Sequence, residues 1–224
     1  AMGANLYQMG QFIPGQTHLE LAYSLYDPAR YPSHAISFDG FDIAVHSLGY
    51  SCLALWHLGF PEQALDRAEQ AMILARDLAN PFTLCGAQWF LAGIHWMRGE
   101  TTKALKLADA AFHLAKEHGF QLSSAFAIGL RASALIADGQ AAEGITCLGE
   151  CLDAARAGGL RVMAPIYLAD LAAGYGRLGQ VDEGFAAIAE AMALVESTGC
   201  RFWEAELHRL KGELTLKRNK FLAD

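Results

Sequence analysis

The chain has 224 residues, with 24 acidic against 17 basic side chains and a formal net charge of −7. That balance, without any run of Lys or Arg, excludes nucleic acid as a partner, because phosphates demand a basic surface. No stretch of about 18 uninterrupted apolar residues occurs, so no membrane span is expected, and the opening AMGANLYQMG lacks the charged-then-apolar pattern of a secretory signal.

In chain order, Gly10 takes a turn position, and Gly15, Leu19, Ala22 and Leu25 follow at five, nine, twelve and fifteen residues. The same offsets recur in every later unit. The helix leading into Gly10 would then begin before residue 1, which predicts a chain cut from a larger protein. Residues 27–40, DPARYPSHAISFDG, form the one irregular segment. They lengthen the first spacing from 40 to 49 residues (Gly10 to Gly59), and residues 28–40 are read as an insertion loop. Such a loop borders a binding face or is a plain connector.

From about residue 41 the pattern is regular. Gly59, Gly99, Gly139 and Gly179 stand 40 residues apart, and Ala79, Gly119, Gly159 and Gly199 keep the same step. The spacing predicts first helices near 41–58, 82–98, 121–138, 161–178 and 201–218, and second helices near 62–78, 101–117, 141–157 and 181–198. Pro61, Pro81 and Pro165 fall in first turns, where a missing N–H does no harm. A fixed period of this size is the mark of a solenoid of helical hairpins. The expected organisation is a partial repeat at 1–27, the insertion, hairpins at about 41–80, 81–119, 120–159 and 160–199, and a final unpaired helix at 200–219, all one repeat domain.

Aligned on the turn glycine, small residues recur. Seven before it stand Cys52, Ala92, Ala132 and Ala172, with Gly212 seven before Asn219, which falls 40 beyond Gly179; five after it, Ala64, Ala104, Gly144 and Gly184; twelve after it, Ala71, Ala111, Cys151 and Ala191. These offsets resemble the tetratricopeptide (TPR) pattern, in which compact residues let the two helices of a hairpin cross closely. Tyr175, four before Gly179, matches its aromatic position. The period of 40 exceeds the usual 34 or so, and the usual tryptophan position is mostly aliphatic, which resembles a longer-helix TPR variant. The resemblance implies an all-α fold, a right-handed α-α superhelix. Three strings, ALWHLGFPEQALDRAEQAMILARDLANPF (54–82), YGRLGQVDEGFAAIAEAMALVESTG (175–199) and RFWEAELHRLKGELTL (201–216), look like the C-terminal TPR region of large bacterial signalling proteins. That family carries a nucleotide-cyclase and an AAA-type ATPase module ahead of the repeats. The resemblance implies such a parent, while the chain holds neither a G-x-x-x-x-G-K-[ST] loop nor a metal-holding aspartate pair in a β context.

In TPR arrays the first helices line a concave face. Carrying the family's groove offsets onto this sequence implies His46, Tyr50, Leu53 and His57 from one unit. The next unit gives Trp89, Phe90 and Met97, followed by Phe126 and Leu130. Asp170 and then Glu206 and Arg209 complete the set. One end of this surface is aromatic and the other charged. A clamp for a peptide's terminal carboxylate needs several Lys, Arg or Asn residues, and these groove offsets hold few. The aromatic end suits an apolar helix or an extended apolar ligand. Packing between helices is the competing reading for Trp56, Trp89, Phe90 and Trp96.

Cys52, Cys85, Cys147, Cys151 and Cys200 are odd in number and read as reduced core thiols of a cytoplasmic protein. Cys147 and Cys151 share a helix face, but no second His or Cys pair follows at zinc spacing, so no metal is expected. His46 and His57 lie about 16 Å apart along a helix by its rise per residue, too far to share an ion. His95 replaces Leu55 and Leu135 of neighbouring units, which predicts a packing role. In the last helix Glu213 and Lys217 have favourable i,i+4 order. No nucleophile–base constellation stands out. The expectation is a non-catalytic protein–protein interaction module without cofactor. It would bind a protein or peptide segment, other domains of its parent included, or self-associate as a homodimer through uncapped ends. The alternative is a sensor taking a small apolar ligand at Tyr50, Trp89, Phe90 and Phe126.

Overall fold

In the computed structural model, which describes residues 2–27, 40–157 and 162–221, every regular element is a helix. In order they are α1 (Met2–Gln8), α2 (Phe12–Ser24), α3 (Ile43–His57), α4 (Pro61–Asp77), α5 (Pro81–Met97) and α6 (Thr101–Glu117). They continue as α7 (Gln121–Ala137), α8 (Ala141–Ala157), α9 (Ala164–Arg177), α10 (Val181–Thr198) and α11 (Glu204–Phe221). The expected insertion at 28–40 lies, except for Gly40, outside the described residues. The chain divides into two compact units, residues 1–130 and 131–224, with the division inside α7.

The hairpin turns are made by backbone geometry. Gly10, Gly59, Gly99, Gly139 and Gly179 have φ between 76° and 91°, the left-handed region that excludes most side chains. At Gly59 the following amide, Phe60 N, donates to Leu55 O at 2.9 Å while Gly59 N donates to Trp56 O at 3.0 Å. This is a Schellman cap, and Glu100 N to His95 O (2.8 Å) and Gln180 N to Tyr175 O (2.9 Å) repeat it. In the second series Gly119 (φ 73°) repeats this cap through Phe120 N to Ala115 O (2.8 Å), while at Gly199 (φ 72°) the glycine's own N–H donates to Val195 O at 2.9 Å. Gly159 lies outside the described residues. Ala79 takes the same region with φ 49°, a conformation that strains a residue with a Cβ.

The small positions are where helices touch. A Cβ on Gly144 of α8 would come within 2.8 Å of the Ala132 carbonyl oxygen of α7. A Cβ on Gly184 of α10 would lie 3.3 Å from the Ala172 carbonyl oxygen of α9. Both pairs join the position five after the turn glycine to the one seven before it. In the first unit Ala64, Ala71, Ala104 and Ala111 are wholly buried. Pro61, Pro81 and Pro165 sit in first turns as expected. Starts of first helices carry side-chain caps where one exists: Asp42 accepts from Ala44 N and Val45 N, and Asn80 from Thr83 N.

Candidate functional site

The first helices bring their groove-offset residues together within each unit. In the first unit the result is a continuous run of rings. His46 and Tyr50 of α3 lie 4.7 Å apart by ring centroid, and Tyr50 meets Phe90 of α5 edge-on at 5.4 Å. Phe90 touches Trp89 at 5.1 Å, and Trp89 reaches Phe126 of α7 at 6.0 Å. On the other side Tyr50 contacts Tyr7 of α1 at 5.8 Å, and Tyr7 contacts His57 at 5.6 Å, which stacks on Phe12 at 4.8 Å. The two histidines of α3 are thus bridged by Tyr50 and Tyr7. Tyr50 belongs to the groove set that the offsets name, whereas Tyr7, which joins it to His57, comes from another hairpin and is not named by them.

Burial sorts these side chains. Leu53 (9%), Phe90 (5%) and Leu130 (5%) are buried, so they support the surface from beneath. His46, Tyr50, His57, Trp89, Met97 and Phe126 are half-buried and form what is reachable. Desolvation holds the His46 imidazole down to about 4, and it also lowers His57, whose Nδ1 is 2.8 Å from Leu53 O. Both rings are therefore neutral, apolar-facing groups at pH 7. The buried Trp89 Nε1 and the buried Gln88 Oε1 make no hydrogen bond among the described residues.

In the second unit the corresponding offsets are polar. Ser133 Oγ of α7 donates to Asp170 Oδ2 of α9 at 2.5 Å, and Asp170 is 9% exposed. Burial pushes the Asp170 carboxyl up to about 7; the Ser133 bond opposes the rise, Glu206 adds to it and Arg177 opposes it. On α11 the Arg209 guanidinium is held on both sides, by Glu206 through two bonds of 2.6 Å and by Glu213 through one of 2.6 Å. The expected Glu213–Lys217 pair is not formed. Glu213 turns to Arg209, four residues before it, and Lys217 Nζ donates instead to Gly176 O at 2.7 Å. Arg209, Glu213 and Lys217 line a cleft of about 390 Å³ between α9 and α11, with Arg177 on the α9 side and Ala173, Leu210 and Leu214 as apolar wall. The groove set names neither Arg177 nor Lys217, and the sequence points to Lys217 only as the expected partner of Glu213. Arg177 stands two before Gly179, the offset that His57 and Met97 occupy, and Lys217 stands two before Asn219, which takes the glycine's place 40 residues on, so carrying that offset through the last two units finds both.

Elsewhere His95 is buried as a packing role requires, and its Nδ1 also meets Glu100 Oε2 at 3.0 Å. Cys52, Cys85, Cys151 and Cys200 are buried free thiols, and the half-buried Cys147 lies 3.7 Å from Arg131 Nη1. No helix among the described residues is long and apolar enough to cross a membrane.

Solved structures share this fold. A single-residue variant of a kinesin-light-chain-like protein of Podosopora anserina, built of nearly identical TPR-like repeats, superposes with a TM-score of 0.53 at 18% identity, over 88% of this chain and 92% of that one. The fold is TPR-like. A Rap protein complexed with Competence and Sporulation Factor is similar to this TPR-like chain with a TM-score of 0.59 at 14% identity, over 95% of this chain and 62% of that one. An uncharacterized protein of Rhizobium meliloti (strain 1021) is 26% identical over 216 residues, 93% of the TPR-like chain. The chain spans about a fifth of that relative's length. No family profile matches the chain.

Proposed function

We propose that the chain is a non-catalytic interaction module that binds a protein or peptide segment on the face of its first helices. The observation that carries this reading is the run of rings from His46 through Tyr50, the buried Phe90 and Trp89 to Phe126, half-buried at every member but Phe90. Neutral aromatic groups on rigid helices give large contact area at low entropy cost, the usual make-up of anchor sites for apolar helix faces. The likeness to a Rap protein in complex with a factor supports the same use of a TPR-like fold. The rings pack against one another, which favours a surface for a segment over a closed chamber for a small apolar ligand.

The module serves as the regulatory TPR segment of a larger bacterial signalling protein of the cyclase or ATPase type. The three strings that resemble such proteins support this, as does the relative about five times as long as the match. Hydrogen exchange on the full-length protein and on the isolated chain is the test. Slower exchange of α3 and α5 in the full-length protein, lost in Tyr50→Ala or Trp89→Ala, is the expected result. Identical exchange in both, with no partner peptide slowing it, overturns the reading. Homodimerisation is a separate part of the proposal, supported by the exposed apolar Met9, Ile13, Leu21 and Leu25 beside one another on and around α2. Light scattering coupled to size exclusion reads it, with Leu21→Glu expected to give the monomer.

A further inference from the structure

The cleft between α9 and α11 carries an unbalanced charge in a chain whose net charge is −7. Three cations border it. Arg209 is fully countered, since Glu206 and Glu213 occupy its Nε, Nη1 and Nη2. Lys217 and Arg177 are not. Lys217 Nζ rests on the Gly176 carbonyl oxygen at the end of α9 and meets no carboxylate among the described residues. A helix C-terminus attracts a cation but supplies only a partial counter-charge. Arg177 makes no hydrogen bond or ion pair among the described residues, and its field reaches Asp170 only as the weakest of four influences there. The carboxylate that the spacing would pair with Lys217 is Glu213, and Arg209 has captured it. Two exposed cations are thereby left side by side at the mouth of a cleft with apolar walls.

The scaffold does not require them. The same offset holds His57, Met97 and Ala137 in the earlier units, none of them a permanent cation, and those hairpins form the same way. Glu213 also lines the cleft, and its charge repels a dianion such as phosphate more than a monoanion. A volume of about 390 Å³ takes a side chain and its neighbours but no helix.

We infer that this cleft binds the carboxylate of a glutamyl or aspartyl side chain in the partner segment, with Arg177 and Lys217 holding the oxygens and Leu210 and Leu214 packing on the stem. The inference rests on the peptide-binding reading and gives that partner an acidic residue within reach of an apolar one. Charge-assisted bonds to two cations are the strong class of hydrogen bond, and the apolar walls reduce their competition with water.

The test is NMR on the whole chain labelled with ¹⁵N-arginine and ¹⁵N-lysine, titrated with acetyl-Leu-Glu-Leu-amide, its Gln counterpart and inorganic phosphate. A saturable shift of the Arg177 side-chain signal with the Glu peptide, about tenfold weaker with the Gln peptide, is expected. Arg177→Gln and Lys217→Gln should each weaken binding about tenfold, because each removes one charge-assisted contact. Both sites are exposed, so folding should hold; far-UV circular dichroism checks it. Equal shifts with Glu and Gln peptides overturn the carboxylate assignment. So does a phosphate shift larger than the Glu shift, an equal shift at Arg201, or no shift with any probe. None of these outcomes touches the exchange measurement on α3 and α5, so failure here and failure of the broader reading are told apart.

Discussion

Gly49 of α3 lies directly against the ring of Phe90 on α5, so near that any Cβ there would overlap the ring carbons. The glycine is what lets the Phe90 ring approach α3 this closely, where it meets Tyr50 edge-on. Gly93, one turn along α5, has nothing within 4 Å of its own Cβ position. The two glycines therefore respond oppositely to substitution. Gly49→Val forces the ring aside and should cost about 1–3 kcal/mol by overpacking. Gly93→Ala should stabilise by about 0.5–1 kcal/mol by restricting the unfolded chain. Chemical denaturation of the two variants checks both signs, and Gly49→Val should also perturb the Tyr50 ring signals.

Asp170 makes the second unit sensitive to pH. Its carboxyl is raised to about 7 by burial, so the folded state holds a proton that the unfolded state has already released. The associated stability is complete below the ordinary carboxylate value near 3.8 and is lost as pH rises through about 7. The groups facing Asp170 are Ser133 of α7, Tyr167 and Arg177 of α9 and Glu206 of α11. Asp170→Asn should remove the slope, which is at most about 1.4 kcal/mol per pH unit. Hydrogen exchange of α9 between pH 4 and 7 in both proteins is the measurement.

His46 gives the first unit the opposite slope. Desolvation holds its ring down to about 4 against an ordinary 6.5, so the unfolded state binds the proton first as pH falls. Stability is complete above about 6.5 and is lost on going down through about 4. His46→Phe keeps a ring against Tyr50 and should flatten the acid limb, by up to about 1.4 kcal/mol per pH unit. Exchange of α3 read across the same pH range separates this limb from that of Asp170.

Gln88 occupies the place held by Leu48, Ile128 and Leu168 in three other first helices, and its Oε1 is buried without a hydrogen-bond partner among the described residues. An unsatisfied buried acceptor is worse than an apolar group of similar size. Gln88→Leu should therefore raise stability by about 1 kcal/mol, seen as a higher denaturation midpoint at unchanged m-value. A lower midpoint would mean that Gln88 has a bonding role in solution.

Much of this architecture is legible in the one-dimensional string because its causes are local. A turn glycine is required by a positive φ at that residue alone, and Gly59, Gly99, Gly139 and Gly179 announce it by their spacing. The close approach of Gly144 to Ala132 and of Gly184 to Ala172 follows from the absence of side-chain bulk at two fixed offsets. The ring run was readable only in outline. The offsets name Tyr50, Trp89, Phe90 and Phe126 but not the Tyr7 that joins Tyr50 to His57.

The sequence by itself determined the period, the helical hairpins, the turns and the face on which aromatic residues collect, since each rests on backbone preference or side-chain size at one position. Tertiary structure alone decided which charges stay countered and which groups leave water. Glu213 lies four residues from both Arg209 and Lys217, and spacing cannot choose between them. Arg209 wins because its planar fork donates to Glu206 and Glu213 together, and Lys217 is left at the end of α9 beside Arg177. Asp170 likewise reads as an ordinary surface acid until Ser133, 37 residues earlier, is packed onto it and the water is gone. Desolvation and competition for partners depend on everything within a few ångströms, and those neighbours are set by the packing of separate helices.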